Sequence, residues 1–269
     1  MLTAPQPDRH RQQQPQSLRR EYEEYVERRI EEFKDQLSRG DLLDLADEAV
    51  RELEVGPDAQ LVLTEILMLD HVDRLIRKRL KLPTFKRWRE RHLRLRDAQR
   101  APTHWGLDMD TPLVDLAHRL EHGELTVALG AGAVGAGLYI AAHGNDVILI
   151  EQDLAQVEAA ERYAASEDLG GRFQGLVVNL GGWFPDVIPS LVLMHSALLS
   201  RLDAGMRREL VEALQETTVS GGVHAIMPAL TGGDVISLTP DSLQTQYARW
   251  ISDRAASSAR RRWLTARKP

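Results

Sequence analysis

Three glycines in one short segment, followed by an acid, are the residues of this sequence best placed to bind a ligand. Gly130, Gly132 and Gly135 follow one apolar run, and Glu151 ends the next. Glycine permits a tight turn and lets a ligand approach the backbone, because no β-carbon intervenes. The helix expected after the turn offers unpaired N–H groups, and a carboxylate at the next strand's tip can accept hydrogen bonds from both hydroxyls of a ribose. The pattern indicates a ligand site; the alternative is a packing turn that binds nothing.

Histidines are the remaining candidates for acid–base chemistry. His195 lies just past an apolar run, where it could act as a general base or serve as a hydrogen-bonded structural residue. His224 lies inside another apolar run and is expected to pack in the core. The pair His104-Trp105 could form a lid on the ligand pocket or a plug at a domain junction.

Several other classes of site have no support in the sequence. The chain contains no cysteine, which excludes disulfides and thiolate chemistry. It has no HExxH motif, so no metal is expected, and no GxSxG motif that would supply a serine nucleophile. No apolar run approaches the roughly 20 residues of a membrane-spanning helix, so no membrane partner is expected. Residues 1–17 are rich in proline and glutamine, and we expect a disordered leader there rather than a secretory signal. A cytoplasmic location is the default expectation.

The net charge of −6 conceals an uneven distribution. Acidic residues outnumber basic ones in 19–54, whereas in 74–100 twelve lysines and arginines face only Glu90 and Asp97. Clustered basic residues can neutralise phosphates, but they are also typical of a solvated helix face or of one paired with acidic helices. We favour the latter interpretations and do not expect nucleic acid as a partner.

The first hundred residues predict helices. Apolar residues recur there at three- and four-residue steps, which defines an α-helical domain over 18–101 followed by a connector helix within 102–123. Gly40 is expected to end the first helix, Asp41 to cap the second, and a third to begin near Asp58. The helical domain is also a candidate surface for a homodimer.

From residue 124 the sequence pattern changes to short apolar runs that alternate with helical stretches. The apolar runs fall at 125–129, 147–150, 175–178, 191–194 and 223–227, and the helical patterns at 134–143, 154–164 and 204–217. This alternation indicates βαβ units and a parallel sheet covered on both faces. The sequence therefore predicts an α/β, Rossmann-like domain over 124–269.

The order of motifs in 124–269 resembles the class I S-adenosylmethionine-dependent methyltransferase superfamily, and is most similar to the tellurite-resistance-like small-molecule methyltransferases. The segments that carry the resemblance are 136–144, 172–180, 191–202, 220–222, 247–250 and 262–269. The resemblance implies a mostly parallel seven-stranded sheet whose last strand is antiparallel. It also implies that 247–250 and 262–269 form the last pair of strands.

The letters GAGAVG at 130–135 look like a nicotinamide-dinucleotide fingerprint, but their spacing to the acid is closer to that of the methyltransferases. Glu151 lies 16 positions after Gly135, against the ~20 expected of a dinucleotide fold. S-adenosylmethionine is therefore the expected cofactor. The resemblance implies that its contacts are Gly130, Ala131, Gly132, Gly135, Glu151, Gln152, Asn179, Leu180 and His195.

Three positions depart from the family pattern. Ala128 stands where the family has an acid two residues before the first glycine, Asn179 replaces an acid beside adenine, and Pro189-Ser190 replaces an aspartate opening the fourth strand. The expected function is methyl transfer from S-adenosylmethionine to a small-molecule acceptor. The alternatives are a degenerate, non-catalytic binding or scaffold protein and an NAD(P)-binding oxidoreductase.

Overall fold

The computed structural model describes residues 17–55, 65–179, 184–228, 243–258 and 261–269. The chain divides into two compact units, 1–94 and 95–269. The boundaries expected from the sequence, at 101 and 123, remain predictions. Two further predictions, the helix start near Asp58 and a ligand contact from Leu180, fall outside the described residues.

The described part of the first unit is helical. It contains α1 (Leu18–Asp35), α2 (Arg39–Val55), α3 (Glu65–Arg79) and the start of α4 (Phe85–Gln99). Val26 and Ile30 of α1 share a buried apolar cluster with Leu45, Ala49 and Ile76. Val26 and Ile30 are four residues apart, so they share one face of α1, and that face lies in the core of this unit.

The start of α2 differs from the prediction, which made Gly40 the end of α1 and Asp41 a cap. Gly40 lies in the first turn of α2, and Ser38 precedes the helix. The Asp41 N–H donates to Ser38 Oγ at 3.2 Å, while the Ser38 N–H donates to Asp41 Oδ2 at 3.2 Å. This reciprocal pair is a capping box, which satisfies a free N–H at the helix start. The cap is Ser38, because its hydroxyl reaches the backbone three residues on.

The second unit is a seven-stranded sheet with helices. Its strands are β1 (Leu125–Leu129), β2 (Asp146–Glu151), β3 (Phe173–Val177), β4 (Leu191–His195), β5 (Val223–Met227), β6 (Ile251–Ser258) and β7 (Arg261–Arg267). Its helices are α5 (Leu113–Arg119), α6 (Val134–Ala142), α7 (Leu154–Ser166), α8 (Ser196–Arg201) and α9 (Ala204–Thr217). The strand order is β3-β2-β1-β4-β5-β7-β6, and β7 runs antiparallel to both neighbours.

Alternate residues of the central strand β1 point into two separate apolar clusters. Ala128 belongs to one cluster with residues of α6, and Val127 and Leu129 belong to the other with residues of α9. Both faces of the sheet are therefore covered, as the continuous apolar runs predicted. The parallel strands with one antiparallel member form the Rossmann-like methyltransferase fold that the resemblance implied.

The last pair of strands is confirmed, but its first member begins later than predicted. β6 starts at Ile251, whereas 247–250 had been expected to open it. Tyr247 ends a short 3₁₀ turn, and its ring is buried in the core. Its hydroxyl lies 2.8 Å from His224 Nδ1 on β5. Burial of that ring holds this segment out of the sheet.

Candidate functional site

The glycine turn lies where the strand order reverses. β1 pairs with β2 on one side and with β4 on the other, and all three run parallel. Their carboxyl ends therefore meet at one edge, beside the turn that follows Leu129 and beside His195 at the end of β4. Open α/β sheets bind ligands in the crevice at such a switch point.

Gly130 gives the turn its shape. Its φ is +81°, a conformation that residues with a β-carbon rarely adopt. Its N–H donates to the Ile150 carbonyl at 2.9 Å, which ties the turn to β2. A 3₁₀ turn (Ala131–Ala133) leads directly into α6, whose start has no side-chain cap. The N-terminus of α6 therefore faces the switch point without a capping side chain.

The carboxylate of Glu151 is bound to the backbone of the glycine turn. Its Oε2 accepts the Ala131 N–H at 2.7 Å. Its Oε1 accepts the N–H groups of Gln152 at 2.6 Å and Asp153 at 3.2 Å. A carboxylate offers about four acceptor positions, so Oε2 keeps room for one further donor. Glu151 is thus held in place, with capacity for a single ligand hydroxyl rather than the two expected.

His195 forms a wall of the turn. A β-carbon at Gly132 would lie 2.9 Å from its Cγ, so the ring rests against the glycine. Its Nδ1 accepts the Ala197 N–H at 3.2 Å and caps α8. Burial lowers the pKa of His195, which favours the neutral ring. With Nδ1 as the acceptor, the neutral ring carries its proton on Nε2.

Gly135 is required by packing within the unit. A β-carbon there would lie 2.5 Å from the carbonyl oxygen of Trp105. The Trp105 ring is buried in the core, and its Nε1–H donates to the Gln99 carbonyl at 2.8 Å. The neighbouring His104 Nε2 lies 2.9 Å from Glu167 Oε2. Trp105 is therefore a core residue, a place that does not suit a mobile lid.

Two of the other predicted contacts lie at the same edge of the sheet. Gln152 follows β2, and Asn179 comes two residues after the end of β3; both side chains are exposed. β2 and β3 pair in parallel, with Glu151 opposite Val177, so the two ends are adjacent. Both predicted contacts stay compatible with a ligand that extends from the glycine turn toward β3.

The sequence reasoning missed Leu198, which lies over the turn. A β-carbon at Gly130 would be 3.4 Å from Leu198 Cδ2. Ala128, where the family has an acid, is fully buried, and a β-carbon at Gly137 of α6 would lie 3.4 Å from its methyl group. The face of Gly130 toward α8 is therefore apolar. One feature of the sequence indicates that Leu198 could lie near the site: it comes three residues, about one helical turn, after His195.

A cleft of about 300 Å³ lies at the opposite edge of the sheet. It is formed at the amino ends of β1, β4 and β5, and its lining includes Leu116, Arg119, Glu124, Ser190, Gly221 and Arg267. Glu124 Oε1 accepts the Ser190 hydroxyl at 3.0 Å there. The glycine turn lies at the carboxyl ends of the strands, where this fold binds ligands, so the cleft is separate from it.

The described residues contain neither a metal-ligand cluster nor a membrane-spanning helix. No group of three or more histidine or acidic side chains there could hold a metal ion. Within the same ranges, every helix is too short or too polar to cross a bilayer.

Comparisons with known proteins give structural neighbours only. No protein-family model and no curated protein matches the chain. TehB from Haemophilus influenzae matches with 14% identity and a TM-score of 0.48, over 58% of this chain and 61% of that chain. The cyclase SpnF matches with 18% identity and a TM-score of 0.48, over 60% of this chain and 81% of that chain.

A third neighbour is the glycopeptide N-methyltransferase MtfA complexed with S-adenosyl-L-methionine. It is 17% identical, with a TM-score of 0.49 over 60% of this chain and 87% of that chain. The chain thus spans less than two thirds of TehB but most of SpnF and MtfA. At such identities these likenesses concern the fold alone.

Proposed function

We propose that the second unit is a class I methyltransferase that binds S-adenosylmethionine at the glycine turn and methylates a small-molecule acceptor. The proposal rests on one observation above the others. The Glu151 carboxylate is fixed beside the Gly130 turn at the switch point, with acceptor capacity left on Oε2. A ribose hydroxyl is the kind of donor that an acid at this position binds.

The residues present fit the nucleoside part of this cofactor better than its amino-acid part. Glu151 can accept a ribose hydroxyl, and the exposed amide of Asn179 can donate to and accept from a base. The position that carries an acid in the family is the buried Ala128, and Leu198 lies over Gly130. We therefore propose that binding depends mainly on the nucleoside.

The cofactor would supply an activated methyl group on a sulfonium. Bound at the glycine turn, it would offer this methyl carbon to an acceptor lone pair and would leave as a neutral thioether. The protein's contribution is to hold the two reactants in line, which can supply much of the rate. The walls available for this are the backbone of Gly130 and Gly132 and the ring of His195.

The hydrogen bond at His195 bears on the choice of acceptor. A general base needs an unprotonated nitrogen directed at the acceptor, but Nδ1 already accepts the Ala197 N–H. Freeing Nε2 as the acceptor would place a proton on Nδ1 and break that cap. We therefore propose that His195 positions the acceptor instead of deprotonating it. Acceptors that are nucleophilic without losing a proton in the transition state, such as neutral amines, suit this arrangement.

Calorimetric titration of the full chain with S-adenosylmethionine, S-adenosylhomocysteine, NAD and NADP tests the proposal. We expect micromolar binding of the two sulfur ligands and none of the nicotinamides. Glu151→Ala should weaken that binding by at least about tenfold, the scale of a lost hydrogen bond to a charged group. Glu151→Gln keeps an oxygen for the Ala131 N–H without the charge, and Glu158→Ala, an exposed acid on α7, is the matched control.

The results have distinct meanings. Binding of NAD or NADP alone would assign the turn to an oxidoreductase. If none of the four ligands binds to a protein that still shows a cooperative melting transition, the second unit would be assigned to a non-catalytic scaffold. An unchanged affinity in Glu151→Ala would contradict the assigned pocket.

A non-catalytic binding protein is the second candidate, and one observation favours it. Leu198 and His195 already pack against Gly130 and Gly132, which narrows the space where two reactants must meet. Transfer of a labelled methyl group to a panel of amines, thiols and phenols separates the candidates. Tight cofactor binding without methyl transfer to any acceptor would support the non-catalytic binding protein.

A further inference from the structure

The first unit carries a concentration of exposed basic side chains at the end of α3, in the turn after it and at the start of α4. We call it the basic surface; its members are Arg77, Lys78, Lys81, Lys86, Arg87, Arg89 and Arg91. All seven lie within residues 77–91, and Glu90 is the single acid in that range. The basic surface is therefore a local concentration of positive charge on a chain whose net charge is −6.

The acidic helices of this unit do not neutralise the basic surface. Two nearby arginines are paired: Arg74 with Asp70 of its own helix and Arg79 with Glu48 of α2. None of the seven members forms an ion pair with a residue of the described chain. Acids on α1 are engaged elsewhere, for example Glu23 with Arg19. The pairing with acidic helices that the sequence suggested is formed by Arg79, and by none of the seven members of the basic surface.

The composition and spacing of the basic surface suit phosphate groups. Arg87 and Arg91 are four residues apart on α4, so they lie about 6 Å apart along the helix axis on one face. Four of the seven members are arginines, whose planar guanidinium groups bind phosphate oxygens in a bidentate manner. A linear polyanion can engage several such groups at once and release its counterions.

We infer that the basic surface binds the phosphate backbone of a nucleic-acid duplex without reading its sequence. Single-strand binding uses exposed aromatic rings on which bases stack, but Trp88 is buried and Phe85 is partly buried against it. Anionic membranes are bound by helices that also present apolar side chains. Within residues 77–94, the one large apolar side chain that is exposed is Leu93. A duplex is the partner that these features favour.

Nucleic acid was not expected from the sequence, because a solvated helix face or pairing with the acidic helices was favoured there. The inference is independent of the methyltransferase proposal, since it uses only residues of the first unit. Titration with S-adenosylmethionine therefore neither supports nor weakens it, and a failure of one proposal does not imply a failure of the other.

Fluorescence anisotropy with labelled 24-base-pair DNA and RNA duplexes of arbitrary sequence tests the inference on the full chain. Binding should weaken steeply as salt rises from about 50 to 200 mM. The variant Lys86→Gln/Arg87→Gln/Arg91→Gln should bind at least about tenfold more weakly, and the slope of log affinity against log salt concentration should fall by about 2 to 3, near 0.9 per lost phosphate contact. Changing the duplex sequence should leave the affinity unchanged.

The matched control is Arg20→Gln/Arg29→Gln/Arg51→Gln. Each of these exposed arginines already bonds within its own helix, and the change in net charge is the same. Circular dichroism and melting curves establish that both variants are folded. An equal loss of affinity in the control would overturn the inference in favour of a net-charge effect.

Competing ligands give the other outcomes. Binding to vesicles of phosphatidylserine and phosphatidylcholine but not to either duplex would assign the basic surface to a membrane and overturn the inference. Equal displacement of the duplex by polyglutamate, at matched charge concentration, would also overturn it, because phosphate would then have no advantage. No binding of either duplex at 50 mM salt would contradict it directly.

Discussion

The imidazole ring of His195 lies so close to Gly132 that a β-carbon at residue 132 would stand 2.9 Å from His195 Cγ. Real β-carbons do not approach a ring carbon that closely. The middle glycine of the turn therefore serves a contact between β4 and the turn after β1, whatever ligand binds there. This contact couples the shape of the turn to the ring that forms its wall.

Gly132→Ala should destabilise the protein by about 1–3 kcal/mol through overpacking, because the added methyl collides with the His195 ring. The collision involves only side-chain atoms, and His195→Ala removes the two nearest of them, Cγ and Cδ2, and leaves Cβ at 3.2 Å, so it should relieve most of the collision. Urea denaturation of both single variants and the double variant should show a favourable coupling of about 1 kcal/mol or more. Strict additivity of the two changes would refute the proposed contact.

Gly135→Ala should behave differently, because the obstacle is the Trp105 carbonyl oxygen at 2.5 Å. Alanine is usually favoured over glycine in a helix by about 1 kcal/mol, yet here we expect a loss of stability. Trp105→Phe should not rescue the variant, since the backbone remains. Gly171→Ala, whose β-carbon meets nothing within 4 Å, is the control and should change stability by less than about 0.5 kcal/mol.

His224 should make the stability of the protein depend on pH. It is fully buried between Thr218 Oγ1 at 2.9 Å and the Tyr247 hydroxyl at 2.8 Å. Burial, and to a smaller extent the charge of Lys268, lowers its pKa to about 3. The folded state thus favours the neutral ring, whereas the unfolded chain takes up a proton below about pH 6.5. Its contribution is therefore complete above that pH and lost as the pH falls toward 3.

Urea denaturation of wild type and His224→Gln at pH 7, 6 and 5 measures this contribution. The variant should be less stable at pH 7, and its deficit should shrink by about 1 kcal/mol for each pH unit below 6.5. The difference between the two proteins removes the effect of the other histidines. A deficit that is constant with pH would show that His224 does not titrate on unfolding.

Ala128→Asp, which restores the acid of the family pattern, should destabilise the protein instead of improving ligand binding. Ala128 is fully buried against α6, so the carboxylate would lose its hydration without a partner, at a cost of several kcal/mol. Ala128→Ser is the milder comparison. Melting curves and calorimetry check both variants; tighter S-adenosylmethionine binding in a stable Ala128→Asp protein would show that this position faces the ligand.

The strands could be predicted closely because burial on both faces demands continuous apolar runs. The runs 125–129 and 223–227 coincide with β1 and β5, and 191–194 lies within β4. The prediction that residues 247–250 open β6 was wrong, because the Tyr247 hydroxyl is bound to His224 and its ring lies in the core. That bond joins residues 23 positions apart, and no local pattern reveals it.

The site could be predicted less closely than the strands, because its contacts join residues that are distant in sequence. The glycine spacing indicated the turn, but the same spacing does not reveal that Gly135 makes room for the Trp105 carbonyl. Likewise, the position of Glu151 predicted an acid at a strand tip, while its bond to the Ala131 N–H depends on how the turn folds back. His195 caps a helix through Nδ1, and the sequence alone does not distinguish a histidine with such a bond from one whose ring nitrogens are both available.

The place of β7 in the sheet has a consequence for synthesis on the ribosome. β7 lies between β5 and β6, so the edge of β5 gains its neighbour only when residues 261–267 have left the exit tunnel. Until then the nascent chain presents an open strand of almost entirely apolar residues, VHAIM, which is the kind of edge that pairs with other chains. A chaperone that binds exposed apolar strands should therefore be able to capture the second unit until β7 has emerged.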